Sequence, residues 1–200
     1  MFFHIRMTDY PVSRRKPDVR EKHFQYLDSQ TDIIVARGPT QDDDGKVMRS
    51  GVFFIDVPDR AAAEKFVADE PHYQSGAFMN VEILRWNNML GRKQRDFARK
   101  DDPVCWYIRT YAKPGAHVQR NILMNEHKAY LEPNDAERFI IRGGLSTDDG
   151  AWLGFASLIA LPDRSTADKF AAEEPFCKNG LFYSVLIERY KLGGRPGQVT

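Results

Sequence analysis

The chain carries the same segment twice. Pro58-Asp59-Arg60 returns as Pro162-Asp163-Arg164, and at this offset of 104 the stretch 58–86 is identical to 162–190 at 14 of 29 positions. Unrelated segments would share about two, given average residue usage. The matches include Lys65-Phe66 with Lys169-Phe170, Glu70-Pro71 with Glu174-Pro175, Gly76 with Gly180, and Arg85 with Arg189. Upstream, His23, Tyr26 and Leu27 match His127, Tyr130 and Leu131, and Ile5-Arg6 matches Ile108-Arg109 one residue out of step. A repeat of this length is a duplicated folding unit, and each copy has to bury what the other leaves bare. The units are read as 1–90 and 103–192, joined by a solvated linker over 91–102 and followed by a loose tail over 193–200.

Each unit predicts the order βαββαβ. An aromatic and β-branched run opens it, Phe2 to Thr8 or Val104 to Tyr111. The spacing of Val19, His23, Tyr26 and Leu27, and of Leu123, His127, Tyr130 and Leu131, then places one face of a helix inward. Two strands follow, connected by loops that carry Asp44-Gly45 or Asp149-Gly150, a pair suited to the positive φ of a tight turn. A second helix is N-capped by Asp59 or Asp163 and ends at Glu70-Pro71 or Glu174-Pro175. The last strand covers 78–86 or 182–190. The order predicts an α+β class: two tandem ferredoxin-like units, each an antiparallel sheet with both helices on one face. The second copy then covers the bare face of the first, sheet on sheet, as an intrachain dimeric α/β barrel.

Composition excludes several functions. Of 200 residues, 29 are Lys or Arg and 28 are Asp or Glu, so neither nucleic acid nor an anionic membrane is expected as a partner. No apolar run approaches the roughly 20 residues that span a bilayer, and the opening FFHIRM is broken by His4 and Arg6. The two cysteines, Cys105 and Cys177, form no metal-binding CxxC, and free thiols suit a reducing cytoplasm. Asp42-Asp43-Asp44-Gly45 resembles the start of a calcium loop, but the twelfth position is Phe53. There is no glycine-rich phosphate loop and no Gly-x-Ser-x-Gly elbow. No metal and no cofactor are expected. The partner expected is a small-molecule ligand or substrate, and a homodimer of the whole chain is compatible with the sequence.

The candidate chemistry rests on side chains that appear twice. His23 and His127 carry the one group whose ordinary pKa lets it exchange protons near neutrality, and a carboxylate on one ring nitrogen would fix its tautomer. The same histidines would also serve as packing residues bonded to a backbone carbonyl. Arg85 and Arg189 share a strand face with Val81 and Ile83, or Val185 and Ile187. An inward arginine would hold an anionic substrate or pair with an acidic neighbour, and Arg6 and Arg109 invite the same two readings. His4, His72 and His117 have no counterpart in the other copy.

The histidine motifs His23-Phe24-Gln25-Tyr26-Leu27 and His127-Lys128-Ala129-Tyr130-Leu131, the Asp-Gly loop and the acidic-Pro segment before Gly-x-Phe resemble the YCII-related (YciI-like) proteins over nearly all of both units. The resemblance implies a dimeric α/β barrel with a His–Asp active-site pair and lyase- or isomerase-like chemistry on ring-cleavage products of aromatics. The histidine falls on His23 and His127, and the acid on Glu70 and Glu174, glutamate replacing aspartate in both halves. Asp69 or Glu173 would substitute after a shift of one residue. The reading is a cofactor-free enzyme with His23 and His127 as general acid/base, Glu70 and Glu174 orienting them, and Arg85 and Arg189 binding an anionic substrate. The alternative is a non-catalytic ligand-binding or accessory module. The copies differ around the pair, His72 facing Phe176 and Tyr73 facing Cys177, so one half is expected to be the better pocket; unit one, with more polar groups, is the choice.

Overall fold

The computed structural model describes residues 1–97 and 103–195. Unit one consists of β1 (Phe2–Asp9), α1 (Arg20–Ser29), β2 (Ile34–Gln41), β3 (Met48–Asp56), α2 (Arg60–Ala68), a one-turn α3 (Pro71–Gln74) and β4 (Phe78–Trp86). Unit two repeats the order with β5 (Cys105–Ala112), α4 (His117–Ile122), α5 (Met124–Leu131), β6 (Phe139–Ser146), β7 (Trp152–Ala160), α6 (Arg164–Glu173), α7 (Pro175–Lys178) and β8 (Phe182–Tyr190). The predicted strands and main helices are all present. The short α3 and α7 were not expected: the proline that ends α2 or α6 also starts the next helix, where its missing N–H costs nothing.

The eight strands close into one barrel in the order β1-β3-β2-β8-β5-β7-β6-β4, antiparallel throughout. Within a unit the sheet is the expected ferredoxin-like one. The units meet at two short seams, Thr40 and Gln41 opposite Tyr190 and Arg189, and Arg85 and Trp86 opposite Ser146 and Leu145. The fold is a dimeric α/β barrel made by one chain. Alternation along each strand gives three large cores, and a smaller cluster gathers Leu123, Phe176, Leu181 and Phe182. One lies inside the barrel and draws on both units, with Phe54, Trp86, Tyr107, Ile141, Leu158 and Tyr190. The other two lie between sheet and helices, Ile5, Met7, Leu27, Phe53 and Phe66 in unit one, and Ile108, Leu131, Phe139 and Ile159 in unit two.

A polar layer crosses the barrel interior. Arg6 donates to Glu188 at 3.0 and 3.2 Å, Arg109 Nε lies 3.6 Å from Glu82, and His4 Nε2 lies 2.8 Å from the Tyr107 hydroxyl. Each ion pair joins one unit to the other, so Arg6 and Arg109 take the acidic-neighbour reading. Burial, reinforced by Arg109 and Arg6, holds His4 well below the ordinary imidazole pKa, so it stays neutral.

Two segments depart from expectation. Residues 91–97 are only partly solvated: Phe97 joins the barrel core, and buried Gln94 accepts a hydrogen bond from the Tyr190 hydroxyl. Arg92 Nε and Lys93 Nζ donate to the carbonyls of Ile140 and Asp32. This first half of the linker stoppers one end of the barrel; residues 98–102 lie outside the described residues. The start of the tail is held as well. Gly193 N donates to the Arg37 carbonyl, and Arg195 pairs with Asp28 and Glu21 on α1; residues 196–200 lie outside the described residues.

Candidate active site

The His and Glu of each unit come from different elements and meet between sheet and helices. In unit one His23 projects from α1, and Glu70 stands at the joint between α2 and α3. Glu70 is the N-cap of α3: its carboxylate accepts from the amides of His72 (3.1 Å) and Tyr73 (2.7 Å). Those donors aim the carboxylate, and one of its oxygens lies 2.6 Å from His23 Nδ1. Unit two repeats the geometry. Glu174 caps α7 through the amides of Phe176 and Cys177, both at 3.0 Å, and meets His127 Nδ1 at 2.6 Å. The repeated Glu-Pro dipeptide therefore has a physical purpose. The proline starts a helix turn, and the glutamate both caps it and holds the imidazole.

Burial opposes ionisation of Glu70, but the His23 ring and the two amides outweigh it and hold the carboxyl below its ordinary pKa. An ionised carboxylate only accepts, so Nδ1 carries its proton toward Glu70 and Nε2 is the atom left for proton exchange. Asp69 and Glu173 do not substitute. Asp69 pairs with Lys65 and Glu173 with Lys169 on exposed helix surface.

Around these pairs the two units differ. His23 is partly open, with the His72 ring 4.6 Å away. Burial, and next the neighbouring His23, push His72 down to about 4. Arg15 and buried Asp9 form a further ion pair in this unit, at 3.1 Å. His127 is buried and stacked on Phe176, 4.1 Å away and nearly parallel, with Phe155 at 4.7 Å from it and 5.8 Å from Phe176, so the three rings form one cluster. Phe176 covers one face of this ring, and among the described residues its Nε2 has no hydrogen-bond partner. Beside it lies a cavity of about 50 Å³, lined by His127, Glu174, Thr110 and Ser157. The remaining wall is largely apolar, with Leu131, Phe139, Phe155 and Phe170. This cavity lies in unit two, whereas the sequence favoured the more polar unit one.

Arg85 and Arg189 do not join this arrangement. Arg85 lies over the Phe3 ring and donates to Met1 Sδ at the barrel rim, and Arg189 donates to the Asp43 carbonyl. They sit at the β4–β6 and β2–β8 seams respectively, where strand alternation takes them past the helices. An anionic substrate loses the support those arginines gave it. Thr110, Ser157 and Phe155 were missed. Their signal lay in the repeat itself, at positions where the copies change size. No group of three or more His, Cys, Asp or Glu side chains suited to a metal occurs among the described residues.

The profile of the YCII-related domain matches the chain twice, over residues 1–87 and 104–191. The chain belongs to the YCII-related family as a tandem pair of its domains. One similar structure is the 5-chloro-2-hydroxyhydroquinone dehydrochlorinase of Burkholderia phenoliruptrix AC1100, solved with 2,5-dihydroxybenzoquinone. It is 29% identical and covers 44% of this chain and 95% of its own, with a TM-score of 0.41. Chlorite dismutase from Candidatus Nitrospira defluvii matches across both units, covering 95% of this chain and 91% of its own at 8% identity and a TM-score of 0.58. A heme-binding protein from Thermus thermophilus covers 94% and 90%, at 12% identity and a TM-score of 0.52. The last two likenesses establish the shared barrel and nothing of the chemistry. No curated protein matches the chain. No helix among the described residues is long and apolar enough to cross a membrane.

Proposed function

We propose that this YCII-related protein is a small-molecule enzyme working by general acid–base catalysis, of the lyase or isomerase kind. His127 and His23 are its proton carriers, and Glu174 and Glu70 orient them. The observation that carries the reading is the buried Nε2 of His127, which has no partner and stands on the wall of a cavity while Nδ1 is committed to Glu174. A buried polar atom without a partner is costly, and a ligand group in the cavity would relieve it. In the proposed step, Nε2 takes a proton from a substrate carbon or hydroxyl and returns it to another atom. Glu174 stabilises the imidazolium between the two transfers, and the stack on Phe176 keeps the ring from rotating.

The second reading, a binding module without chemistry, draws on that same stack, because packed rings also make a rigid pocket wall. The two are separated by incubation in D2O with a panel of small carbonyl-bearing and unsaturated molecules, followed by mass spectrometry. An enzyme incorporates deuterium or eliminates a leaving group, and His127→Ala reduces that rate about 100-fold or more. Equal rates for the wild type and the His23→Ala/His127→Ala double variant would leave only the binding module.

A further inference from the structure

We infer that unit two is the ligand-binding half of the chain, and that its cavity selects a compact, uncharged, largely apolar molecule bearing a hydroxyl, while Met7 and Phe53 close unit one to the same molecule. The inference rests on reading the His127–Glu174 pair as functional.

Strand register sets the two halves side by side. Ile5 pairs with Phe53 on β1 and β3, and Ile108 pairs with Ser157 on β5 and β7; two residues on, Met7 matches Thr110. The cavity is lined by Thr110 and Ser157, whereas Met7 and Phe53 are buried in the unit-one core, with Phe53 against Phe66. Val67 stands where unit two has Ala171, which also lines the cavity. Three large side chains in one copy thus face three small ones in the other, all on the wall between sheet and helices. A helix-and-sheet core packed to normal density has no room for a ligand, and the smaller residues supply it.

The groups that line the space set its chemistry. Arg142 reaches the wall, but its guanidinium is bidentate to Asp135 at 2.5 and 2.6 Å. The Glu174 carboxylate is beside it. An anion placed here would lose its water and meet no unengaged cation, a heavy cost. Thr110 Oγ1 accepts from the Phe155 amide at 2.9 Å, which leaves its own proton to donate. Nε2 of His127, with Nδ1 donating to Glu174, is an acceptor. In the inferred complex a ligand hydroxyl donates to Nε2 and accepts from Thr110, both of which line the cavity. Phe176 covers one face of the imidazole at 4.1 Å and Phe155 packs beside both rings, and the ligand meets the imidazole at Nε2.

The test uses the full chain and two matched probes, cyclohexanol and cyclohexanecarboxylate. Binding is read by calorimetry and by the NMR signals of the histidine Cε1–H groups. Cyclohexanol is expected to move the His127 signal saturably and leave His23 in place, with at least tenfold weaker binding of the carboxylate. Thr110→Val, which keeps the shape, is expected to weaken cyclohexanol about tenfold. The unit-one residues transplanted as Thr110→Met/Ser157→Phe should abolish binding. Tighter binding of the carboxylate, an equal response at His23, or unchanged affinity in Thr110→Val would overturn the inference. Because binding is read without turnover, a failed deuterium-exchange assay would reject the catalytic reading and leave this result standing, and the reverse holds too.

Discussion

The strongest single test of the site's construction is Glu70→Gln. The carboxylate accepts three hydrogen bonds, from His23 Nδ1 and from the amides of His72 and Tyr73. Oε1 takes those from His23 and His72 and Oε2 that from Tyr73, so a glutamine, with one carbonyl oxygen, keeps one of these two sets and turns an NH2 group toward the other, with at least one amide left unpaired. His23 can recover by changing tautomer; an amide cannot. Charge-assisted bonds contribute about 1.5–3 kcal/mol each and neutral ones about 1, so the expected loss at pH 7 is about 2–3 kcal/mol. In a chain of this size that lowers Tm by roughly 5–10 °C. The effect depends on pH with a definite sign. Glu70 has its pKa depressed below the reference 4.5 by folding. Its contribution is therefore fully present above about 4.5 and disappears as pH falls through the lower folded value. Thermal melts followed by circular dichroism from pH 7 to pH 3.5 should show the wild type and Glu70→Gln converging at the acid end. A gap that stays constant across that range would refute the carboxylate's role as cap and histidine partner.

Other outcomes follow from features elsewhere in the barrel. Phe97→Ala should cost about 3–4 kcal/mol in urea unfolding, because it leaves a cavity at the stoppered end; a change under 1 kcal/mol would return 91–97 to the status of a solvated linker. Gly143→Ala should prevent folding or lower Tm sharply, because its Cβ would collide with the Asn87 carbonyl oxygen beside the β4–β6 seam; a well-folded, equally stable variant contradicts this. His72 should titrate near pH 4 by NMR. Since the unfolded chain takes up that proton at higher pH, stability should rise with pH between about 4 and 6.5, and His72→Phe should flatten that slope; an unchanged slope would show that the ring is not the cause.

The duplication made most of the fold legible. Strand alternation, the Asp59 and Asp163 caps and the positive φ of Gly45 and Gly150 are local physics, and both copies obeyed it. The His–Glu partnership was also within reach, because a helix face and a helix end had to converge on one sheet. Other features were decided by tertiary contacts that local sequence does not encode. Glu70 and Glu174 looked like helix ends because α2 and α6 stop there, and only the following turn makes them caps. Gln94 and Phe97 sit in a polar, basic stretch whose composition reads as solvent-exposed, yet a barrel end needed filling. Arg85 and Arg189 have the right parity to face inward, but lie where the strands leave the helical layer. The cavity depends on differences between the copies, whereas a repeat draws attention to the positions the copies share.

The seams carry a final consequence for assembly. A lone ferredoxin-like sheet has two exposed margins whose amides and carbonyls invite strand addition from any neighbour. Here the end of each margin is bonded to the other half of the same chain, at β2 with β8 and at β4 with β6. The barrel is therefore closed within one polypeptide, and no second copy is needed to close it. Because both halves arrive on one polypeptide, a substitution in one is not echoed in its partner. Met7 and Phe53 could thus enlarge on one side while Thr110 and Ser157 stayed small on the other, a divergence that a barrel built from two identical chains cannot make.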